Sequence, residues 1–466
     1  MGENNSKNTT PRKSINVFVL LFGVLTTAAL ATYLLPAGQY QRHLVNGRNI
    51  VVPNSYASVE SSPVGIFSIF SSIHEGLVQA APIIFYLLII GGMFNLLNST
   101  GTFDALLTYT TRKMQKRSLS FIALTMLIFA LGGSLMGMAE EGLIYIPLII
   151  PIAIALGFDV VTGTAIVLLG MGVGFTTAVM NPFTIGIAQG IAGLPLFSGI
   201  EARLVLFVIM YVLTVGYVYR YAQKVKNDPS KAFMGDGKFS AKASTASNTA
   251  FETKHKAILL AFVSALGIIV YGALKLDWYL GEMSAMFVIL SIIVAIIAKI
   301  SADDTVTLFL EGSASLVSAA LIIGLARAIV VVLTNGHIID TILQFAATLL
   351  QTLPPSLCAA GMFVVQAFIH FLVPSGSGQA MLTMPIMLPL GDLVGVTHQT
   401  ACLIFSVADG IGNTILPTSG YFMAALAVSG IPWQVWVKRM IPIITLQYII
   451  GIIAVIILNA MNYGPF

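Results

Sequence analysis

Charge is what this chain lacks. It has 19 acidic and 23 basic residues among 466, or 9% of positions, where a soluble protein carries about 25%. With 57% apolar residues and a mean hydropathy of +0.92, an ordinary soluble domain is excluded, and the expected partner is a lipid bilayer rather than nucleic acid. Cysteine is scarce as well. Cys358 and Cys402, both inside apolar runs, are too few for a disulfide framework and have no metal-ligand spacing, so no metal and no cofactor is expected. The parts of an intramembrane enzyme are also missing. His74-Glu75 lacks the second histidine of a zinc motif, Asp409-Gly-Ile-Gly has no partner aspartate, and nothing orients Ser377 and His370 toward each other.

Long apolar runs take the place of charge. Candidate spans cover roughly 17–36, 79–99, 161–193, 201–221, 258–276, 283–299, 313–334, 399–430 and 440–459, lengths suited to about 30 Å of hydrocarbon. The first follows Arg12 and Lys13 and is long for a signal-peptide core, so it reads as an uncleaved span. Two further stretches, 119–156 and 355–394, are interrupted in the middle by small polar residues. If each enters and leaves on one side as a re-entrant helical hairpin, 18 of the 23 lysines and arginines fall on the cytoplasmic side. Only Arg42, Arg48, Arg203 and Lys275 then lie outside, with Arg327 within the membrane, which is the sorting the positive-inside rule favours. The N-terminus is then cytoplasmic and the C-terminus outside. Asn46-Gly47, between alternating strand formers, predicts a small β-hairpin.

The chain repeats itself once. A shift of 238 residues lays Pro147 on Pro385, Pro151 on Pro389, Gly157 on Gly395, Thr162 on Thr400, Gly172 on Gly410 and Gly174 on Gly412. Glu75-Gly76 returns as Glu311-Gly312, and Gly193-Leu-Pro195 as Gly430-Ile-Pro432. The expected fold is therefore an all-α polytopic membrane protein with about nine transmembrane helices, two re-entrant hairpins and two broken helices. An N-terminal tail covers 1–15, a first repeat 16–222, a cytoplasmic linker 223–256, and an extra helix with the second repeat 257–460. The hairpin mouths open to opposite sides, so the repeats are inverted, the pattern of an alternating-access transporter. Such occluding hairpins argue against a channel.

Chemistry is expected where helices break, because unwound backbone at membrane depth offers free N–H and C=O groups. One hairpin tip reads Gly137-Met-Ala-Glu140-Glu141-Gly142, the other Pro374-Ser375-Gly376-Ser377-Gly378-Gln379. Facing them are Gly170 to Asn181-Pro182 and Asp409-Gly-Ile-Gly-Asn413-Thr414 to Pro417-Thr418-Ser419-Gly420. Tips that present helix N-termini suit a carboxylate. The candidate substrate residues are Glu140, Glu141, Asn181, Ser375, Gly376, Ser377, Gly378, Gln379, Asp409, Asn413 and Thr414. Arg327 and His370 are candidates for coupling or charge balance, since ionisable groups at depth default to function. Arg327 either neutralises Asp409 or a glutamate, or binds substrate. Glu75 and Glu311 are expected to start matching helices as N-terminal charges.

Gly137-Met-Ala-Glu-Glu-Gly142, Asn181-Pro-Phe with Ala188-Gln-Gly-Ile-Ala-Gly193, and Ser375-Gly-Ser-Gly-Gln-Ala-Met-Leu-Thr-Met-Pro385 with Pro389-Leu-Gly-Asp-Leu-Val-Gly395 closely resemble the YfcC family. That family sits beside DcuC-like C4-dicarboxylate carriers and ArcD-type basic amino acid antiporters. The resemblance covers nearly the whole chain. It implies a bacterial inner-membrane protein, and the wider ion-transporter superfamily implies a homodimer, an elevator-type motion and nine spans. Anion-carrying relatives have neutral Ser-Asn-Thr-type tips, whereas this chain has Glu140-Glu141. The leading expectation is thus a basic amino acid antiporter of the arginine/ornithine type. The alternative is a sodium- or proton-coupled carboxylate symporter.

Overall fold

Residues 17–45, 48–102, 105, 118–232, 252–276, 278 and 280–464 are described by a computed structural model of the chain. Its apolar runs are helices, since a segment in hydrocarbon must satisfy its backbone polar groups internally. Helix α1 (Val17–Leu34) is followed by strands β1 (Gly38–Gln39), β2 (Arg42–Val45), β3 (Arg48–Val51) and β4 (Ala57–Ser58). β2 and β3 pair antiparallel with Arg42 opposite Val51, which is the expected hairpin, although Asn46 and Gly47 themselves lie outside the described residues. β1 pairs with β4.

The first half continues with α2 (Ile66–Gln79), α3 (Ala81–Ser99), α4 (Ser118–Leu131), α5 (Ile146–Ala155), α6 (Val160–Thr177), α7 (Ile185–Ile191) and α8 (Ile200–Asn227). After α9 (Thr253–Lys275) come α10 (Leu280–Ala298), α11 (Ala302–Ser315), α12 (Val317–Asn335) and α13 (Ile339–Leu350). The chain then closes with α14 (Pro355–Leu372), α15 (Gly376–Val394), α16 (His398–Gly412), α17 (Gly420–Ser429) and α18 (Trp433–Ala460). Among the described residues seven helices are long and apolar enough to cross a membrane, eight if the bent α11–α12 pair counts as one. Residues 233–251, the centre of the expected linker, lie outside the described part.

Three elements differ from the sequence reading. Helices α2, α11 and α13 stand where no span was expected. Their serines, acids and amides lower the mean hydropathy below that of a span, although their apolar residues recur at helical spacing. The spans expected from 79 and 313 therefore begin at breaks, at Ala80 before Pro82 and at Leu316. Glu75 and Glu311 consequently sit in the last turns of α2 and α11, not at helix starts.

Packing repeats as the sequence does. α2 lies on α12 and α11 lies on α3, so each half lends a helix to the other. α6 crosses α16 at small residues: a Cβ added at Gly172 would strike Thr414, and one at Gly410 would strike the backbone of Thr176. Positions 172 and 410 are separated by the same 238 residues as 176 and 414. The contact is thus reciprocal, as across a two-fold axis. α6 is buried along its whole length and α16 from Gln399 onward. α1–α3 and α9–α12 pack together as one group. α4–α8 and α14–α18 form another, and the two meet along α12 against α17.

Candidate functional site

The break in α6 is stitched to the first hairpin tip. α6 stops where Ala178 takes a left-handed conformation, φ +42°. Met180 N–H then donates to Ser134 O at 2.9 Å, Val179 N–H to Ser134 Oγ at 3.1 Å, and Asn181 Nδ2 to Gly133 O at 3.3 Å. Asn181 Oδ1 accepts from Phe183 N–H at 2.9 Å. Gly137 turns the tip at φ +69°, where a Cβ would also collide with Asn181. Glu140 and Glu141 open a 3-10 helix over Glu140–Tyr145, and Ala139 N–H donates to Glu141 Oε2 at 2.9 Å. An α-helical N-terminus was expected at this tip. Pro147 lacks an N–H and suits the first turn of an α-helix, in keeping with α5 starting downstream of the glutamates.

Buried donors satisfy the carbonyls that each break exposes. Arg203, 2% exposed, donates to Val179 O at 3.1 Å, Phe197 O at 2.8 Å and Ser198 O at 2.7 Å. At the other break the indoles of Trp433 and Trp436 donate to Ile415 O and Thr414 O, each at 2.9 Å. Different side chains thus do the same work in the two halves.

The second tip does present an α-helix N-terminus. Ser375 caps α15, its Oγ accepting from Gly378 N–H at 3.3 Å. The first N–H groups of the helix have no intrahelical acceptor. Behind the tip, Gln379 Nε2 donates to Gln366 O at 2.9 Å and to Gln366 Oε1 at 2.8 Å. Gln379 Oε1 lies 3.0 Å from His370 Nδ1. Asp409 Oδ1 is 2.9 Å from that same nitrogen. Asn413 Nδ2 reaches Asp409 Oδ2 at 3.4 Å, and Asn413 Oδ1 accepts from Ser419 Oγ at 3.1 Å. The ionisable group beside Asp409 is therefore His370. Arg327 stands on α12, in the other helix group, where its Nε donates to Gln79 Oε1 at 3.0 Å.

Both tips line one cavity of about 500 Å³ between the two helix groups, within the range of small-molecule sites. Glu140 and Glu141 come from the first tip, Ser375, Gly376 and Ser377 from the second, Asn413 from the α16 break, and Arg327 from the facing α12. Asn181, Gly378, Gln379, Asp409, Thr414 and His370 stand outside the lining, behind the tips or in the helix crossing. Gln79, Phe175, Phe183, Thr418 and Tyr421 also line it; none was among the candidate substrate residues, although Phe175 and Thr418 fall in the breaks read from sequence. Their usable signals were the Pro82 break beside Gln79 and the polar run Pro417 to Gly420. The lining holds two carboxylates and one guanidinium, a formal charge of −2 + 1 = −1.

The sequence matches the family described as C4-dicarboxylate anaerobic carrier, DcuC, over residues 16–460. YfcC of Escherichia coli (strain K12), provisionally named a basic amino acid antiporter, is 30% identical, with 96% of this chain and 97% of that protein covered. An uncharacterized protein of Haemophilus influenzae is 28% identical, covering 95% of this chain and 96% of its own length. Among solved structures, the YdaH transporter of Alcanivorax borkumensis gives a TM-score of 0.44 at 13% identity, covering 97% of this chain and all of that one. MtrF of Neisseria gonorrhoeae, from a class of antimetabolite efflux pumps, gives 0.42 at 15%, covering 96% and 95%.

Proposed function

Because the chain belongs to the DcuC family of C4-dicarboxylate anaerobic carriers, it is a secondary membrane transporter and not an enzyme, and we propose that it exchanges basic amino acids, arginine against ornithine. The observation that carries this reading is the charge distribution of the cavity. A basic amino acid has two cations and one carboxylate, a net +1, and the lining offers two carboxylates with one guanidinium. Glu140 and Glu141 face the cations. Arg327 and the N-terminus of α15 receive the α-carboxylate. The provisional name of the Escherichia coli relative points the same way.

The motion we propose is elevator-like. The group holding both tips and both broken helices slides against α1–α3 and α9–α12, and the cavity lies at their boundary. The reciprocal crossing of α6 and α16 supports an inverted pair of repeats, 16–222 and 257–460, joined by a cytoplasmic linker. The N-terminus is inside and the C-terminus outside a bacterial inner membrane, and the working unit is a homodimer. A second reading, ion-coupled carboxylate symport, is favoured by Arg327 on the cavity wall and by the family's description. Counterflow into proteoliposomes preloaded with ornithine separates them. Labelled arginine and lysine are expected to enter without sodium, and succinate to be excluded. Succinate entry with arginine excluded would select the symporter.

A further inference from the structure

The polar network behind the second tip is short of one proton. Gln379 Nε2 must be the amide nitrogen, because its partner Gln366 O is a carbonyl. Gln379 Oε1 is therefore an acceptor, and His370 carries its hydrogen on Nδ1. That leaves His370 Nε2 and Asp409 Oδ1 buried without hydrogen-bond partners. The second stays 2.9 Å from the imidazole but off the line of its N–H. Both side chains are fully buried. With a neutral imidazole, Asp409 is a desolvated charge held only by the long contact from Asn413, an arrangement that costs several kcal/mol. One proton on the pair makes it net neutral. The 2.9 Å between the two atoms is a hydrogen-bond distance, too short to seat a metal ion between them.

We propose that His370 and Asp409 together form a proton-binding site separate from the substrate cavity, and that its occupancy is coupled to substrate through the N-terminus of α15. The coupling is electrostatic. A Cβ at Gly376 would lie 3.4 Å from Asp409 Oδ2, so one residue of the tip separates Asp409 from the cavity. The same helix N-terminus faces Asp409 on one side and, on the reading proposed for the cavity, the substrate carboxylate on the other. Two anions compete for one partial positive charge. Filling the cavity with a carboxylate therefore drives a proton from the aqueous side onto the pair, and emptying it releases that proton. Among the described residues, Tyr421 of α17 and Tyr448 of α18 feel the charge of Asp409, and Tyr421 also that of Glu140. The residues of α6 and α7 and those of α15 beside it (Gly376, Gln379) carry no ionisable group.

The site is tested first without any ligand, by acid-minus-base infrared difference spectra of the full-length carrier in lipid. Wild type should show a carboxyl or imidazole change that disappears in Asp409→Asn and is altered in His370→Gln. Identical spectra in wild type and both variants would overturn the proposal, and either variant suffices if the other does not fold. The coupling is tested by adding arginine and succinate separately to weakly buffered carrier. Whichever binds should take up about one proton per site, and neither variant should do so. Binding without proton uptake overturns the coupling. Uptake with succinate and no binding of arginine would leave this site standing and remove the basic amino acid reading.

Discussion

Glu140 and Glu141 are neighbours in one 3-10 turn, so the backbone forbids them to separate, and like charges held in a dry site need a cation between or beside them. Glu140→Gln and Glu141→Gln are each expected to weaken arginine at least about tenfold, roughly 1.4 kcal/mol, in a binding titration. Unchanged affinity in both variants would remove them from the site. Arg327 has a complementary test. Agmatine lacks the α-carboxylate, so Arg327→Gln should weaken arginine by about tenfold or more, the worth of a charged hydrogen bond, and leave agmatine unaffected. Equal losses for both ligands would mean that Arg327 only supports the fold. The sequence exposed these ionisable residues because so few lie at depth, but it could not assign their partners. Gln79 is 248 positions from Arg327, and Asp409 meets His370 only once α14 has folded against α16. Asn181 shows the same limit: an amide at a helix break reads as a ligand, yet here its Nδ2 is spent on Gly133 O and its Oδ1 on the N–H of Phe183 in its own turn.

At the level of elements, breaks were legible and amphipathic helices were not. Gly and Pro punctuate a chain locally, so the interruptions that end α6 and α16 and those within 119–156 and 355–394 could be placed to within a few residues. α2 and α11 were missed because their polar residues lower the mean hydropathy, and their packing at Gly76 on α12 and Gly312 on α3 leaves no mark in hydropathy. The crossing of α6 with α16 gives a sharp expectation. Gly410 has no room for a side chain, since a Cβ there would meet the backbone of Thr176, which cannot rotate away. Gly410→Ala should lower the thermal unfolding temperature, with a cost of about 1–3 kcal/mol from overpacking. Gly216→Ala in α8 meets nothing within 4 Å and should leave stability unchanged or raise it by up to about 1 kcal/mol, the ordinary helix preference for alanine. A Gly410→Ala carrier as stable as the parent would show that the two helices are not pressed together there.

Across the whole molecule the repeat is legible in the amino-acid order itself, as a shift of 238 residues, because the Gly and Pro positions that set the helix breaks coincide in the two halves. The division of the helices into two packed groups is not legible there, since that boundary cuts across both halves: α12 and α3 lie on one side, α17 and the hairpins on the other. If transport requires these groups to slide, a covalent bridge between them must stop it. Gly420 of α17 and Ile323 of α12 offer the place, because a Cβ at Gly420 would lie 4.0 Å from Ile323 Cβ, a Cβ–Cβ spacing compatible with disulfide geometry. The native Cys358 and Cys402 are both fully buried and should not compete for the bridge. The pair Ile323→Cys with Gly420→Cys should exchange arginine when reduced, lose exchange when oxidised, and regain it on adding reductant. Both positions also line the cavity, so substrate binding is measured in detergent before and after oxidation: binding retained while exchange is lost marks a blocked motion, and binding lost marks a blocked cavity. If quantitative oxidation leaves exchange running at the reduced rate, the two groups do not move relative to each other, and access must alternate by the hairpins opening in place.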